Sequence, residues 1–118
     1  MRLEEIRTAI DRRLDQALYR EVTDVSFAPC HCRAGRAYLN WSLRDLAVAV
    51  GWSPNNIIEF EELSFPCSDV DPELIWRFHE AFRLAGVTFE STPEKDVIQI
   101  DQCLAQRFRR RHASESCP

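Results

Sequence analysis

The residues best able to do chemistry in this 118-residue chain stand in two places. Cys30-His31-Cys32 is the densest group of metal-capable side chains. Structural zinc sites need four ligands, usually as two pairs spaced C-x₂₋₄-C. C-x-C with one adjacent His has poor bite geometry, no second pair follows, and Cys67, Cys103 and His79 are scattered singles. This pattern predicts plain thiols and no metal or other cofactor, with Cys103 a small core residue on an amphipathic helix. The second place is the only basic run, Arg107, Arg109, Arg110 and Arg111. It suits either a solvated helix end, where cations favour the macrodipole, or contact with an anionic partner. There is no G-x-S-x-G, phosphate-binding glycine loop or H-E-x-x-H, so no catalytic constellation emerges. His79-Glu80 and the acids of 69–96 read as a solvated surface.

The elements that must hold these groups follow from periodicity and caps. Leu3, Ile6, Ile10, Leu14, Ala17 and Leu18 recur at spacings of three and four, which predicts a helix over 2–22 with one apolar stripe. That stripe must dock on the domain or on a second copy of the chain. Residues 23–31 read as irregular because Pro29 disfavours helical geometry at Ala28. A short helix is expected over 32–40, ending at Asn40, which tolerates a left-handed C-cap. Ser42 and Asp45 form a capping box for a helix over 43–50 that stops at Gly51. Ser53-Pro54 and Asp71-Pro72 are cap-plus-proline starts for helices over 55–62 and 73–85. Leu74, Ile75, Phe78, Ala81, Phe82 and Ala85 share one face of the latter. Gly86 ends it, strands 87–90 and 97–100 form a hairpin, and Asp101 caps a last helix over 102–111. The polar end, 113–118, is expected to be disordered.

Composition limits the partners. The hydrophobic fraction is 45% and the charged fraction 29%, ordinary for a soluble globular domain. The net charge is -4, so the chain lacks the general basicity of many nucleic-acid binders. Segment 64–100 carries a net -4 and segment 101–118 a net +2. An anionic partner would therefore have to meet local basic patches. No apolar run approaches the length that spans a bilayer, and the N-terminus lacks an apolar signal core. These features predict a cytoplasmic protein with no membrane partner, whose five cysteines stay reduced.

Residues 43–62, LRDLAVAVGWSPNNIIEFEE, fit a helix-turn-helix. A small residue, Ala47, stands where two helices cross, and Gly51 supplies the positive φ of a three-residue turn. Leu46, Val50, Trp52, Ile57 and Phe60 supply the apolar positions facing a common core.

The fit extends to RAGRAYLNWSLRDLAVAVGWSPNNIIEFEE and LIWRFHEAFRLAGVTFE. Over Cys32 to Glu90 the chain resembles the Cro/C1 (XRE-type) helix-turn-helix family of bacterial transcription regulators. The resemblance implies a mainly α-helical, lambda-repressor-like bundle of five helices at 29–86. An N-terminal helix and linker (1–28) precede it, and a hairpin with a basic helix (87–112) follows. It implies a dimeric regulator binding double-stranded DNA, with Asn55, Asn56 and Glu59 at base-reading positions. Backbone contacts fall to Arg33, Arg44, Ser53, Arg109, Arg110 and Arg111. Arg36 and Glu61 stand where the family often has an ion pair. Four departures are plain: Leu43 replaces a usual Gln, Glu59 a usual donor, Glu62 and Leu63 a common polar-Gly pair, and no Lys or Arg occurs from Asp45 to Trp76. These favour a competing reading, a protein-interaction module using the acidic second helix. A homodimer is expected through the Leu3/Ile6/Ile10/Leu14 stripe, the hairpin strands, or both.

Overall fold

A computed structural model describes residues 2–16, 27–63 and 71–110. Among these residues the chain is mainly helical, with six helices and one two-stranded antiparallel sheet. In chain order they are α1 (Leu3–Gln16), α2 (Pro29–Leu39), α3 (Leu43–Val50), α4 (Pro54–Glu61), α5 (Pro72–Leu84), β1 (Val87–Ser91), β2 (Asp96–Ile100) and α6 (Gln102–Phe108). The expected helical residues 17–22, the loop 64–70 and the end 111–118, including Cys67 and Arg111, lie outside the described residues.

The apolar stripe of α1 is used inside the chain. Leu3, Ile6 and Ile10 are buried, and α1 packs on α3 and α5. Over the described residues the stripe docks on its own domain, so Leu3, Ile6 and Ile10 are not available as a dimer face. Arg77 of α5 fastens the arrangement. Its guanidinium pairs with Asp11 of α1 at 2.8 Å and donates to the Val50 carbonyl at 3.2 Å, at the C-terminus of α3.

Helix α2 begins at Pro29, three residues earlier than expected. Ala28 is extended (φ -104°, ψ 159°), as a residue before proline must be, but Pro29 itself occupies the first helical turn. The proline that was read as a breaker is thus a helix start, and Cys30 and His31 move from a loop into that turn. Gly35 of α2 lies against Phe82 of α5; a Cβ there would come within 2.6 Å of the ring. The core beneath is aromatic. Phe27 stacks against Phe60, Phe78 and Phe82 with ring centroids 5.8–6.1 Å apart, and Phe60 lies 4.8 Å from Phe78. One buried cluster runs from Leu3 through these rings to Ala105 and Phe108.

The caps act as read. Asp45 N–H donates to Ser42 Oγ at 3.1 Å while Ser42 N–H donates to Asp45 Oδ2 at 2.9 Å. Asn40 and Gly51 both take left-handed conformations, with φ of 56° and 81°. The Asp71 carboxylate accepts from Glu73 N–H, and that of Asp101 from Cys103 and Leu104 N–H. In the hairpin, Val87 pairs with Ile100 and Ser91 with Asp96.

Three further expectations fail. Glu80 is buried rather than surface, held by Arg83 at 2.7 Å and Arg13 at 3.4 Å. Cys103 is exposed rather than core, because Ala105 and Phe108 are the residues of α6 that face inward. Helix α6 stops at Phe108, with Arg107 in its last turn and Arg109 and Arg110 beyond it, because tertiary bonds claim the next backbone groups. Trp41 Nε1 donates to the Phe108 carbonyl at 2.8 Å, Arg110 N–H donates to the Leu39 carbonyl at 2.9 Å, and Asn40 Nδ2 donates to the Arg110 carbonyl at 2.9 Å.

Candidate nucleic-acid interface

Helices α3 and α4 are joined by Gly51, Trp52 and Ser53. Gly51 N–H and Trp52 N–H both donate to the Ala47 carbonyl, at 2.9 and 3.1 Å, which closes the turn over a buried small side chain. Leu46, Val50, Ile57 and Phe60 are buried and Trp52 is half-buried. Ser53 Oγ accepts from Asn56 N–H at 3.3 Å and so starts α4. The inward residues of α4 fix what faces outward: Asn55, Asn56, Ile58, Glu59 and Glu62 are exposed.

The far end of α4 is locked to α2. Arg36 Nε and Nη2 each lie 2.8 Å from a different oxygen of Glu61, a bidentate pair. The Glu61 hydrogen bonds hold Arg36 more firmly protonated, against the opposing effect of its burial. The Cys32 thiol donates to the same carboxylate at 3.1 Å. Burial first, and then the Glu61 charge, push this thiol far up, so it is inert as a nucleophile. Arg33 donates to the Glu61 carbonyl, a cation on the C-terminal end of α4. Its assigned role on a DNA backbone thus competes with a contact inside the chain.

Arg107 is exposed in the last turn of α6, whereas Arg109 and Arg110 lie past the helix end. Arg109 lies over the Tyr38 ring at 5.8 Å. Arg110, anchored through its backbone to Leu39 and Asn40, places its guanidinium 3.9 Å from Asp45 in the first turn of α3. Arg44, next to Asp45, is exposed. Arg2, Asp45, Val48 and Arg110 line a shallow groove of about 350 Å³. The fold therefore brings Arg2 and Arg110, distant in sequence, beside Arg44 at the N-terminus of α3, with Glu4 and Asp45 among them. Arg2 was not among the expected contacts; it is distant in sequence and carries no local signal.

No family model matches the chain, and no curated protein or solved structure matches it significantly. The resemblance noted above therefore rests on the chain's own residues.

Proposed function

We propose that α3 and α4 form a helix-turn-helix of the Cro/C1 type within a lambda-repressor-like bundle, and that the chain is a transcription regulator binding double-stranded DNA. The observation that carries this reading is the turn. Left-handed Gly51 over buried Ala47 joins two separately capped helices, and the second exposes Asn55 and Asn56 beside its N-terminus. In this reading α4 enters the major groove. Asn pairs in bidentate fashion with adenine, and Glu59 can accept from cytosine N4. Arg44, Arg110 and Arg2, beside the N-terminus of α3, grip the backbone, as do Arg109 and Ser53 at the start of α4. Two copies joined through the hairpin, where Ile98 is exposed, would meet a two-fold symmetric site.

One observation favours a second reading. Ile58 and Leu63 are exposed apolar residues close in sequence to the acidic Glu59 and Glu62. An apolar and acidic surface of this kind suits a basic protein segment better than phosphate. A salt titration of binding to duplex DNA separates the two. Affinity that falls steeply with salt supports the regulator, and its absence at low salt supports the interaction module.

A further inference from the structure

Helix α2 and the hairpin bring three metal-capable side chains together. Cys30 and His31 stand in the first turn of α2, and Asp96 opens β2. One ligand atom from each lies within 4.8 Å of the other two. His31 Nε2 is 3.6 Å from Asp96 Oδ1, too long for a hydrogen bond. The His31 residue is only 4% exposed, and its Nε2 has no hydrogen-bond partner. A buried polar atom left this way is uncommon and needs a cause. Packing holds the ring in place. It stacks on Phe89 at 4.9 Å and 20° and meets Phe27 edge-on at 5.7 Å. The hairpin thus supplies both the carboxylate and the surface that orients the imidazole.

We propose that Cys30, His31 and Asp96 bind a divalent cation of the zinc class, with water completing the coordination. Thiolate, imidazole and carboxylate are the three ligand types that zinc takes, whereas calcium and magnesium prefer oxygen alone. Two anionic ligands balance the double positive charge. Tetrahedral zinc keeps its ligand atoms about 3.3–3.7 Å apart, and the His31–Asp96 separation is already at that spacing. The remaining gap closes by rotation of exposed Cys30.

Binding moves two protons. His31 Nδ1 accepts from Ala28 N–H at 3.0 Å, so without metal the ring proton sits on Nε2. On binding, the Cys30 thiol proton leaves to solvent. The Nε2 proton is released and Nδ1 takes one up, which breaks the Ala28 bond. One backbone hydrogen bond is a small loss beside three metal–ligand bonds, but it makes this site weaker than a four-ligand structural site. The Ala28 amide is therefore a direct reporter. Sequence spacing alone argued against a metal here because the third ligand comes from a distant strand.

The test is a cobalt(II) titration of the full chain under a non-thiol reductant. The expected result is one cobalt per chain with a thiolate-to-cobalt band in the near ultraviolet. Cys30→Ser should abolish the band. Asp96→Asn should weaken binding at least about tenfold. Cys103→Ser should change neither. Zinc should displace cobalt and shift the Ala28 amide resonance. Both ligand substitutions fall on exposed side chains, and metal-free melting curves confirm that the variants fold. A band that persists in Cys30→Ser, its absence from the unmodified chain, or unchanged affinity in Asp96→Asn each overturns the proposal. None of these readouts involves DNA, so the result is separate from that of the regulator reading.

Discussion

Arg36 and Glu61 meet through two parallel 2.8 Å bonds, and this pair ties the end of α4 to α2 with the carboxylate only 10% exposed. Arg36→Ala would leave that carboxylate with the Cys32 thiol, since Arg33 donates to the Glu61 backbone carbonyl. The expected loss is about 2–3 kcal/mol, at or below the lower end for a broken buried pair because Arg36 keeps 21% exposure. Urea unfolding measures it. Replacing both partners by apolar residues of similar volume should recover part of the loss, since neither charge is then stranded. A double variant no more stable than Arg36→Ala would show that the carboxylate carries no penalty when unpaired.

Gly51 has a φ of 81°, a conformation costly for any side chain with a Cβ. A Cβ there would also come within 3.3 Å of Arg7 Nε, which can swing aside. Gly51→Ala should therefore cost on the order of 1 kcal/mol or more from the backbone alone. Unchanged denaturation within error would mean that the turn does not need its left-handed residue.

The segment after α6 acts as a clamp on the α2–α3 junction. Trp41→Phe removes the bond to the Phe108 carbonyl together with part of the buried indole. It should cost more than the roughly 1 kcal/mol of the bond alone. Truncation after Phe108 keeps that acceptor and removes the two bonds made by the Arg110 backbone, so it should cost about 1–3 kcal/mol. Calorimetry of each variant against the unmodified chain measures the two losses.

Most helix starts were legible because their signals are local. Ser42 with Asp45, Ser53 with Pro54, Asp71 with Pro72, and Asp101 each act on groups within three residues. Asn40 and Gly51 were legible as left-handed stops for the same reason. What could not be read depends on contacts between distant parts. Arg109 is extended and the helix ends because Leu39 and Asn40 bind the backbone of Arg110. Glu80 is buried because Arg13 and Arg83 reach it. Asp96 stands beside His31 only because the hairpin folds back over α2. The start of α2 was missed for a different reason: Pro29 is compatible with both a break and a first turn, and its sequence context was read as the former.

His79 gives a sign for the dependence on pH. Burial lowers its pKa, Arg83 and His31 add to the lowering, and Glu80 opposes it. Its Nδ1 is buried and has no hydrogen-bond partner. The folded state therefore holds fewer protons than the unfolded chain between the lowered value and the ordinary value of 6.5. Stability from this group is full above 6.5 and is lost as pH falls through that window. His79→Gln should flatten the slope of unfolding free energy between neutral and mildly acidic pH. A variant with an undiminished slope would assign it to other groups.

The choice between regulator and interaction module turns on separating base reading from backbone affinity. If the chain binds DNA through α4, Asn55→Ala should flatten preference at one base pair, a loss of about 1–3 kcal/mol of discrimination, with little change in salt slope. Replacing Arg109, Arg110 and Arg111 together by Gln should instead weaken all sequences alike. The salt slope should fall by at most about three units, one per lost phosphate contact. The Arg109 and Arg110 share should be smaller than for free side chains, because Tyr38 and Asp45 already hold them. Glu59 is exposed beside the expected phosphate path, so Glu59→Gln should strengthen binding by removing a repelled charge. The interaction module expects none of these effects. It expects no DNA affinity at low salt, and a weaker partner complex when Glu59 or Glu62 is neutralised. Titrations of the Glu59→Gln variant decide the matter: if it binds duplex DNA no better than an unrelated acidic protein, the exposed face of α4 does not read DNA.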